Sequence, residues 1–253
     1  MKNKIENMLL MMMLPVIVFI AWHYVTTTGK VPTLILPTIK SVWETILFQL
    51  TKGTLLKDLG ISLMRIVKGY SLALFFGIAL GVLMGMSERV NKFFILTCTS
   101  VRQIPMMAWV PLLVMWFGIG EESKVSVIFL ASYFPILVNT ISGISSTDSK
   151  LLEVGRMYQL NKWEMFTKIY LPSAIPSIFV GLKLGLGTAW MAVVGAEMIA
   201  ASSGIGFRIN DARSLMQYPI VFCGMAGIAV TGVLMDGLLS IITKACTPWQ
   251  NRK

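Results

Sequence analysis

Long apolar runs separated by short polar ones set the rhythm of this chain. Six runs have the length and content of membrane spans: Met8–Val25, Tyr70–Met86, Phe93–Phe117, Val125–Ile144, Pro176–Ala201 and Ile220–Ile242. A helix needs about 20 mostly apolar residues to cross a hydrocarbon core of about 30 Å. Lipid admits only helices or closed barrels, because every backbone polar group must be paired internally. The runs are continuous rather than alternating, which excludes the strand pattern of a barrel. The pattern therefore predicts an all-α membrane protein with six transmembrane helices.

Two polar stretches carry patterns of their own. In residues 26–69, Pro32 and Pro37 bracket a short extended segment, Val42, Ile46, Leu47 and Leu50 recur at helical spacing, and Leu55, Leu59, Leu63 and Ile66 do the same. This predicts two amphipathic helices, the second running into span two at Gly69, which either lie on the outer face or begin a tilted span. Residues 147–172 form a polar hairpin between spans four and five. Thr147 or Asp148 suits the cap of a short helix, Ser149–Tyr158, and Asn161 suits the cap of another, with Glu164 three residues on. Pro172 is expected to end that second helix, and Pro176 fits the first turn of span five. Met157, Tyr158, Leu160, Trp163 and Phe166 give the hairpin an apolar and aromatic surface of the kind found at interfaces. The expected division is a first transmembrane helix (1–25), an amphipathic connection (26–69), a core domain (70–245) containing the hairpin, and a tail (246–253).

Composition agrees with the membrane class. The chain is 55% hydrophobic and 13% charged, with a mean hydropathy of +0.74, against about 25% charged residues in soluble domains. The net charge of +10 comes with no nucleic-acid motif, and the basic residues mostly flank spans, where anionic headgroups account for them. Lys and Arg are split almost evenly between the two sides, leaning toward the side of the termini, which the positive-inside rule assigns to the cytoplasm. Lys2 and Lys4 precede the first run as in a signal peptide, but the run ends in Trp22, His23 and Tyr24, which read as interfacial anchors, and no cleavage site follows.

The chain offers little chemistry of its own. Cys98, Cys223 and Cys246 are scattered in or beside spans, and His23 stands alone, so no metal-ligand set is expected. Gly29-Lys30 is followed by Val31, so no phosphate-binding loop exists and any ATP hydrolysis belongs to another polypeptide. Ionisable side chains within spans are costly and usually face a cavity or a partner; Arg102, Lys183, Glu197 and Asp236 qualify. Lys183 and Glu197 are close to four helical turns apart, with Gly187 and Trp190 near the same face, which makes that face a candidate pore lining or a packing face. Pro105 and Pro111 interrupt span three and Pro135 span four, as lining of a cavity or as static kinks.

One resemblance organises these features. Glu153-Val154-Gly155, Gln159 and Ile169-Tyr170-Leu171-Pro172 resemble, at the right spacing, the signature loop of permease subunits of ATP-binding cassette importers: Glu-Ala-Ala, three residues, Gly, nine residues, Ile-x-Leu-Pro. Val154 and Gln159 replace small residues of that pattern, and the glycine replaced by Gln159 is one that permits a positive φ. Ser62-Leu63-x-Arg65-x-x-x-Gly69, Arg102-x-Ile104-Pro105-x-x-Ala108-Trp109-x-Pro111-Leu112, Trp116-Phe117-Gly118-Ile119-Gly120, Leu182-Lys183, Glu197 and Ser203-Gly204-Ile205-Gly206 are similar to the nitrate, taurine and aliphatic sulfonate branch of these permeases. The resemblance implies a type I importer permease fold in a cell membrane, with cytoplasmic termini and a cytoplasmic coupling helix. It implies a homodimer working with a separate ATPase, which uses ATP and Mg²⁺, and with an extracytoplasmic substrate-binding protein; the chain itself binds no cofactor. Glu153, Gly155, Tyr158, Gln159, Ile169, Leu171 and Pro172 would couple to the ATPase. Arg102, Lys183, Trp190 and Glu197 are the candidates for the translocation path of a small anion. Relatives of the branch carry thiamine precursors, riboflavin or aromatic compounds. An ion-driven secondary carrier, the alternative from another class, calls for an inverted repeat, and none is evident.

Overall fold

A computed structural model describes the backbone of residues 2–29 and 31–248, and their side chains except those of residues 2–9 and 11. Lys30, Arg252 and Lys253, the side chains of Lys2 and Lys4, and most of the expected tail lie outside the described residues. Among the described residues the regular structure is all helical, with helices α1 (Lys2–Thr27), α2 (Ile39–Thr51), α3 (Thr54–Met86), α4 (Glu88–Gln103), α5 (Met106–Phe117), α6 (Glu121–Ser145), α7 (Ser149–Met157), α8 (Lys162–Met165), α9 (Leu171–Ala200), α10 (Ile205–Ser214) and α11 (Tyr218–Cys246). A π-helical turn, Phe166–Tyr170, joins α8 to α9.

The expected spans appear as helices, one of them sharply bent. As expected, the second amphipathic stretch runs into span two at Gly69: α3 continues unbroken from Thr54 to Met86. At 1.5 Å per residue its 33 residues extend about 50 Å, so its first turns project beyond the hydrocarbon. Span three is not straight: α4 and α5 meet at 98°. Ile104, forced into an extended conformation by the following proline (φ −73°, ψ 121°), ends α4. Pro111 and Pro135, by contrast, lie inside continuous helices. Among the described residues four helices are long and apolar enough to cross a membrane, five if the bent pair counts as one span, against the six expected, and the described part of α1 adds an apolar stretch, Met12–Thr27.

Small residues allow the central helices to touch. A Cβ placed on Gly69, Gly77, Gly81 or Gly85 of α3 would lie 2.6–3.0 Å from Ile128, Ile136, Thr140 and Ile144 of α6. The two series advance together, so α3 and α6 run parallel, with backbones in the close contact that recurs between membrane helices. Gly181 and Gly185 of α9 meet Asn139 and Ile136 of α6 in reverse order, making that pair antiparallel. Ala73, Ile136, Ile144, Ala174, Ile178 and Leu182 fill the core these three helices share. α11 returns antiparallel to α9, with Trp190 near Ile228 and Lys183 near Asp236. Trp22 of α1 packs against Phe222 near the start of α11, 5.3 Å between ring centroids and tilted by 35°. The start of α1, the end of α11 and the hairpin between α6 and α9 therefore share one end of the bundle.

Candidate functional site: elbow, cavity and buried ionic node

The hairpin forms the expected elbow. The Asp148 side chain accepts the Lys150 N–H (2.9 Å) and opens α7, while Asn161 and Glu164 exchange both bonds of a capping box at the start of α8. α7 ends with Gln159 at φ +54°, the left-handed conformation a glycine would adopt. The Leu160 N–H donates to the Gly155 carbonyl (3.1 Å) and the Gln159 N–H to that of Arg156 (2.9 Å), which closes the helix end. The turn thus keeps its shape with a glutamine in it. Gly155 is buried where α7 leans on the π-helical turn; a Cβ there would sit 2.5 Å from the Met165 Sδ and 2.6 Å from the Ile169 Cδ1. Glu153, Val154, Tyr158 and Gln159 face outward, and Met157, Tyr158 and Trp163 are 81%, 78% and 71% exposed at the tip.

Pro172 does not end the second helix as expected. Pro172 lacks an N–H and its ring crowds the carbonyl four residues back; the wide turn Phe166–Tyr170, closed by the Leu171 N–H on the Phe166 carbonyl, accommodates it. Lys162–Ala200 is consequently one 39-residue helical rod, about 60 Å long, rooted in the elbow. Ile169, Leu171 and Pro172 are part of the rod, half-buried at its base.

Where α4 bends into α5, the chain leaves a cavity of about 580 Å³ against α6 and α9. Val101, Arg102, Pro105, Met107, Trp109, Phe134, Asn139, Leu184, Thr188 and Met191 are among its lining. Arg102 ends α4 exposed at this cavity, with no hydrogen bond or ion pair among the described residues. Pro135 has no N–H to offer the Ala131 carbonyl, and the Thr188 hydroxyl of α9 donates to it instead (2.9 Å).

The other candidates for the path are not gathered around Arg102. Lys183 pairs with Asp236 (3.1 Å) and donates to the Ser240 hydroxyl (3.2 Å), both across to α11. Trp190 is buried and its Nε1 donates to the Ile228 carbonyl (3.2 Å). A space of about 60 Å³ opens beside Lys183, Gly187 and Trp190, and one of about 450 Å³ is lined by Lys183, Ser240 and Lys244. Glu197, expected on the path, is fully enclosed, 0% exposed, in the last turn of α9. Its carboxylate accepts from Arg65 (2.7 Å), the Ser62 hydroxyl (2.7 Å) and the Gly206 N–H (2.9 Å), so it is saturated and turned into the bundle.

Arg65 is the centre of that node and was not singled out as a functional residue by its sequence context. It is 2% exposed, and all five of its N–H groups are used: two on Glu121 of α6, one on Glu197, one on the Ser203 carbonyl and one on the Ser203 hydroxyl. Ser62 also accepts the Ile205 N–H (3.0 Å). Gly204, at φ +104°, and Gly206 wrap the carboxylate so closely that a Cβ on either would meet Glu197 within 2.5–2.8 Å. Lys124 closes the rim, its ammonium on the Ile119 and Gly120 carbonyls (2.9 and 3.0 Å), and Asp58 holds Arg208 of α10 (2.8 Å). Three motifs far apart in the chain, Ser62–Gly69, Trp116–Gly120 and Ser203–Gly206, thus meet at the end of the bundle opposite the elbow. Among the described residues, no cluster of His, Cys, Asp and Glu has the form of a metal site.

Comparison with known proteins places this arrangement. A model of the family "Binding-protein-dependent transport system inner membrane component" matches residues 77–248. A candidate aliphatic sulfonates transport permease protein, SsuC, of Bacillus subtilis (strain 168) is 34% identical over 95% of this chain and 87% of its own length. The taurine transport system permease protein TauC of Escherichia coli (strain K12) is 33% identical over 90% of this chain and 85% of its own. Among solved structures, the MetNI methionine ABC transporter in an inward-facing conformation superposes with a TM-score of 0.69 at 14% identity, covering 78% of this chain and 98% of that one; the likeness is one of fold.

Proposed function

The chain belongs to the family of binding-protein-dependent transport system inner membrane components, and from that premise we propose how it couples and what it carries. It is a transmembrane permease subunit of an ATP-binding cassette importer with the type I fold, a multi-pass protein of the inner membrane. It is not itself an enzyme: an ATPase partner uses the ATP, and a substrate-binding protein delivers the cargo. Two copies of the chain form the pathway between them, with both termini and the elbow in the cytoplasm. The common end shared by the start of α1, the end of α11 and the elbow supports that orientation.

The observation that carries the coupling role is the elbow itself. Water-exposed Met157, Tyr158 and Trp163 sit at the tip of a capped, preorganised turn, and exposed apolar groups on rigid backbone are what a docking partner anchors to. Glu153, Gly155, Tyr158, Gln159, Ile169, Leu171 and Pro172 form or brace this surface. Closure of the ATPase dimer moves the elbow, and the unbroken rod Lys162–Ala200 carries that displacement past the cavity to the ionic node. A two-state rocking motion requires the ATPase to contact the elbow differently in its two states.

The cargo is a small anion, as the names of the sulfonate and taurine permeases suggest for those proteins, and Arg102 is the cation available to it. Glu197 and Trp190 act as packing anchors rather than as lining, and Lys183 is held by Asp236. The test is uptake into vesicles containing the permease, its ATPase and its binding protein. ATP-dependent accumulation of a sulfonate, taurine or nitrate is expected; transport confined to neutral or cationic solutes overturns the assignment of cargo. Elbow substitutions such as Tyr158→Glu abolish uptake while the permease remains in the membrane; unchanged uptake and ATPase assembly in that variant refute the coupling role.

A further inference from the structure

We infer that the cavity at the α4–α5 bend is an intramembrane binding site for an organic monoanion with an apolar body, held by Arg102 and Asn139; this rests on the importer reading above. The site lies between the two ends of the helix bundle. α4 rises from the elbow end, α5 continues to the end of the ionic node, and the bend falls between them, level with Thr188 near the middle of the rod and with Phe134–Asn139 in α6. A guanidinium at that depth is costly unless it meets water or an anion. Among the described residues Arg102 has no carboxylate partner, and none of the residues lining the cavity is Asp or Glu. The buried Arg65 is paired with Glu121 and Glu197 and the half-buried Arg208 with Asp58, whereas the exposed Arg102 has no carboxylate beside it among the described residues. Arg102 lines a cavity of about 580 Å³.

The donor inventory narrows the ligand. Arg102 offers five N–H groups in a planar fork suited to an oxyanion. Asn139 spends one amide N–H on the Pro135 carbonyl (2.8 Å) and keeps the other. Thr188 contributes none, because its proton is directed to Ala131. The rest of the wall is apolar: Met107, Trp109, Phe134, Leu184 and Met191. At about 580 Å³ the cavity is within the range that encloses a small organic ligand. It is oversized and too greasy for nitrate, and it has no acid to receive the ammonium of taurine. An alkyl sulfonate satisfies it: charged head on Arg102 and Asn139, hydrocarbon tail on the methionines and aromatics.

The test uses the purified permease–ATPase complex without the binding protein, so that selectivity measured is that of the membrane site. Isothermal titration with hexanesulfonate is expected to give one saturable site per permease chain, with taurine and nitrate at least tenfold weaker. Arg102→Gln removes a charge-assisted contact and weakens hexanesulfonate binding about 10- to 100-fold, and Arg102→Lys, which keeps the charge but loses the planar fork, binds more weakly than the parent and more tightly than Arg102→Gln. Thermal melting of each variant checks that it is folded. Absence of saturable binding, taurine or nitrate binding as tight as hexanesulfonate, or indifference to Arg102→Gln overturns the site. A lipid phosphate is the other source of an oxyanion: native mass spectrometry that finds phosphatidylglycerol retained by the parent, lost from Arg102→Gln and not displaced by hexanesulfonate also overturns it. ATP-driven uptake is measured in parallel, so that a working transporter without this site disproves the inference alone, while failure to assemble with an ATPase disproves the importer reading.

Discussion

Replacing Arg65 with Met probes the ionic node where the physical argument is strongest. The substitution keeps most of the side-chain volume and removes five hydrogen-bond donors from a group that is 2% exposed. Glu121 is half-exposed and recovers solvation when released, so its share is discounted as a surface pair. Glu197 cannot do so: it is fully buried and retains only Ser62 and the Gly206 N–H. Stranding one member of a buried pair costs about 3–5 kcal/mol. Glu197→Gln is milder, at about 1–3 kcal/mol, because an amide oxygen still accepts from Ser62 and Gly206. The double variant Arg65→Met with Glu197→Gln has no stranded charge, so it falls short of the sum of the singles by about 2 kcal/mol. Reversible unfolding in mixed micelles measures all four proteins as a double-mutant cycle. Single costs below about 1 kcal/mol, or strict additivity, refute the reasoning.

Other expectations follow from individual contacts. Gly85→Leu drives a side chain into Ile144, where even a Cβ has 2.6 Å, and costs about 1–3 kcal/mol or more, whereas Gly187→Ala, with nothing within 4 Å, changes the unfolding midpoint negligibly. Gln159→Gly relieves a left-handed glutamine and raises stability by about 1 kcal/mol, with ATPase assembly intact; Gln159→Val lowers both in the same micelle assay and a pull-down. Thr188→Val leaves the Ala131 carbonyl without its inter-helix donor and costs about 1 kcal/mol, read as a lower melting temperature.

How much of this was legible beforehand depended on the range of each interaction. The elbow could be read because its determinants are local: Asp148, Asn161 and Glu164 bond within three residues of themselves. The bend at Ile104–Pro105 was signalled by its proline, though its angle was not, since Pro111 and Pro135 carry the same signal and leave their helices continuous. The difference lies in what surrounds each proline, as Thr188 shows for Pro135. The π-helical turn before Pro172 was hidden for the same reason: sequence marks the missing N–H but not the wider turn that absorbs it. The ionic node was least legible, because its bonds join residues 56, 132 and 138 apart. Its available signal was composition, an arginine and a glutamate within apolar helices, each demanding a partner. Glu197 stands out on that ground as an ionisable residue within a span, whereas Arg65 lies in an amphipathic stretch before span two, where a charge raises no question. Pairing the two charges would have found the node.

The account turns on the elbow gripping the ATPase and the rod carrying its motion. A photo-crosslinker at Tyr158, with a second permease carrying it at Val233 on the exposed face of α11, measures this most directly in living cells. Capture of the ATPase subunit from position 158 and not from 233, with a yield that changes when ATP hydrolysis is blocked, is the predicted result. Equal capture from both positions, or none from Tyr158 in cells that still accumulate the cargo, contradicts it.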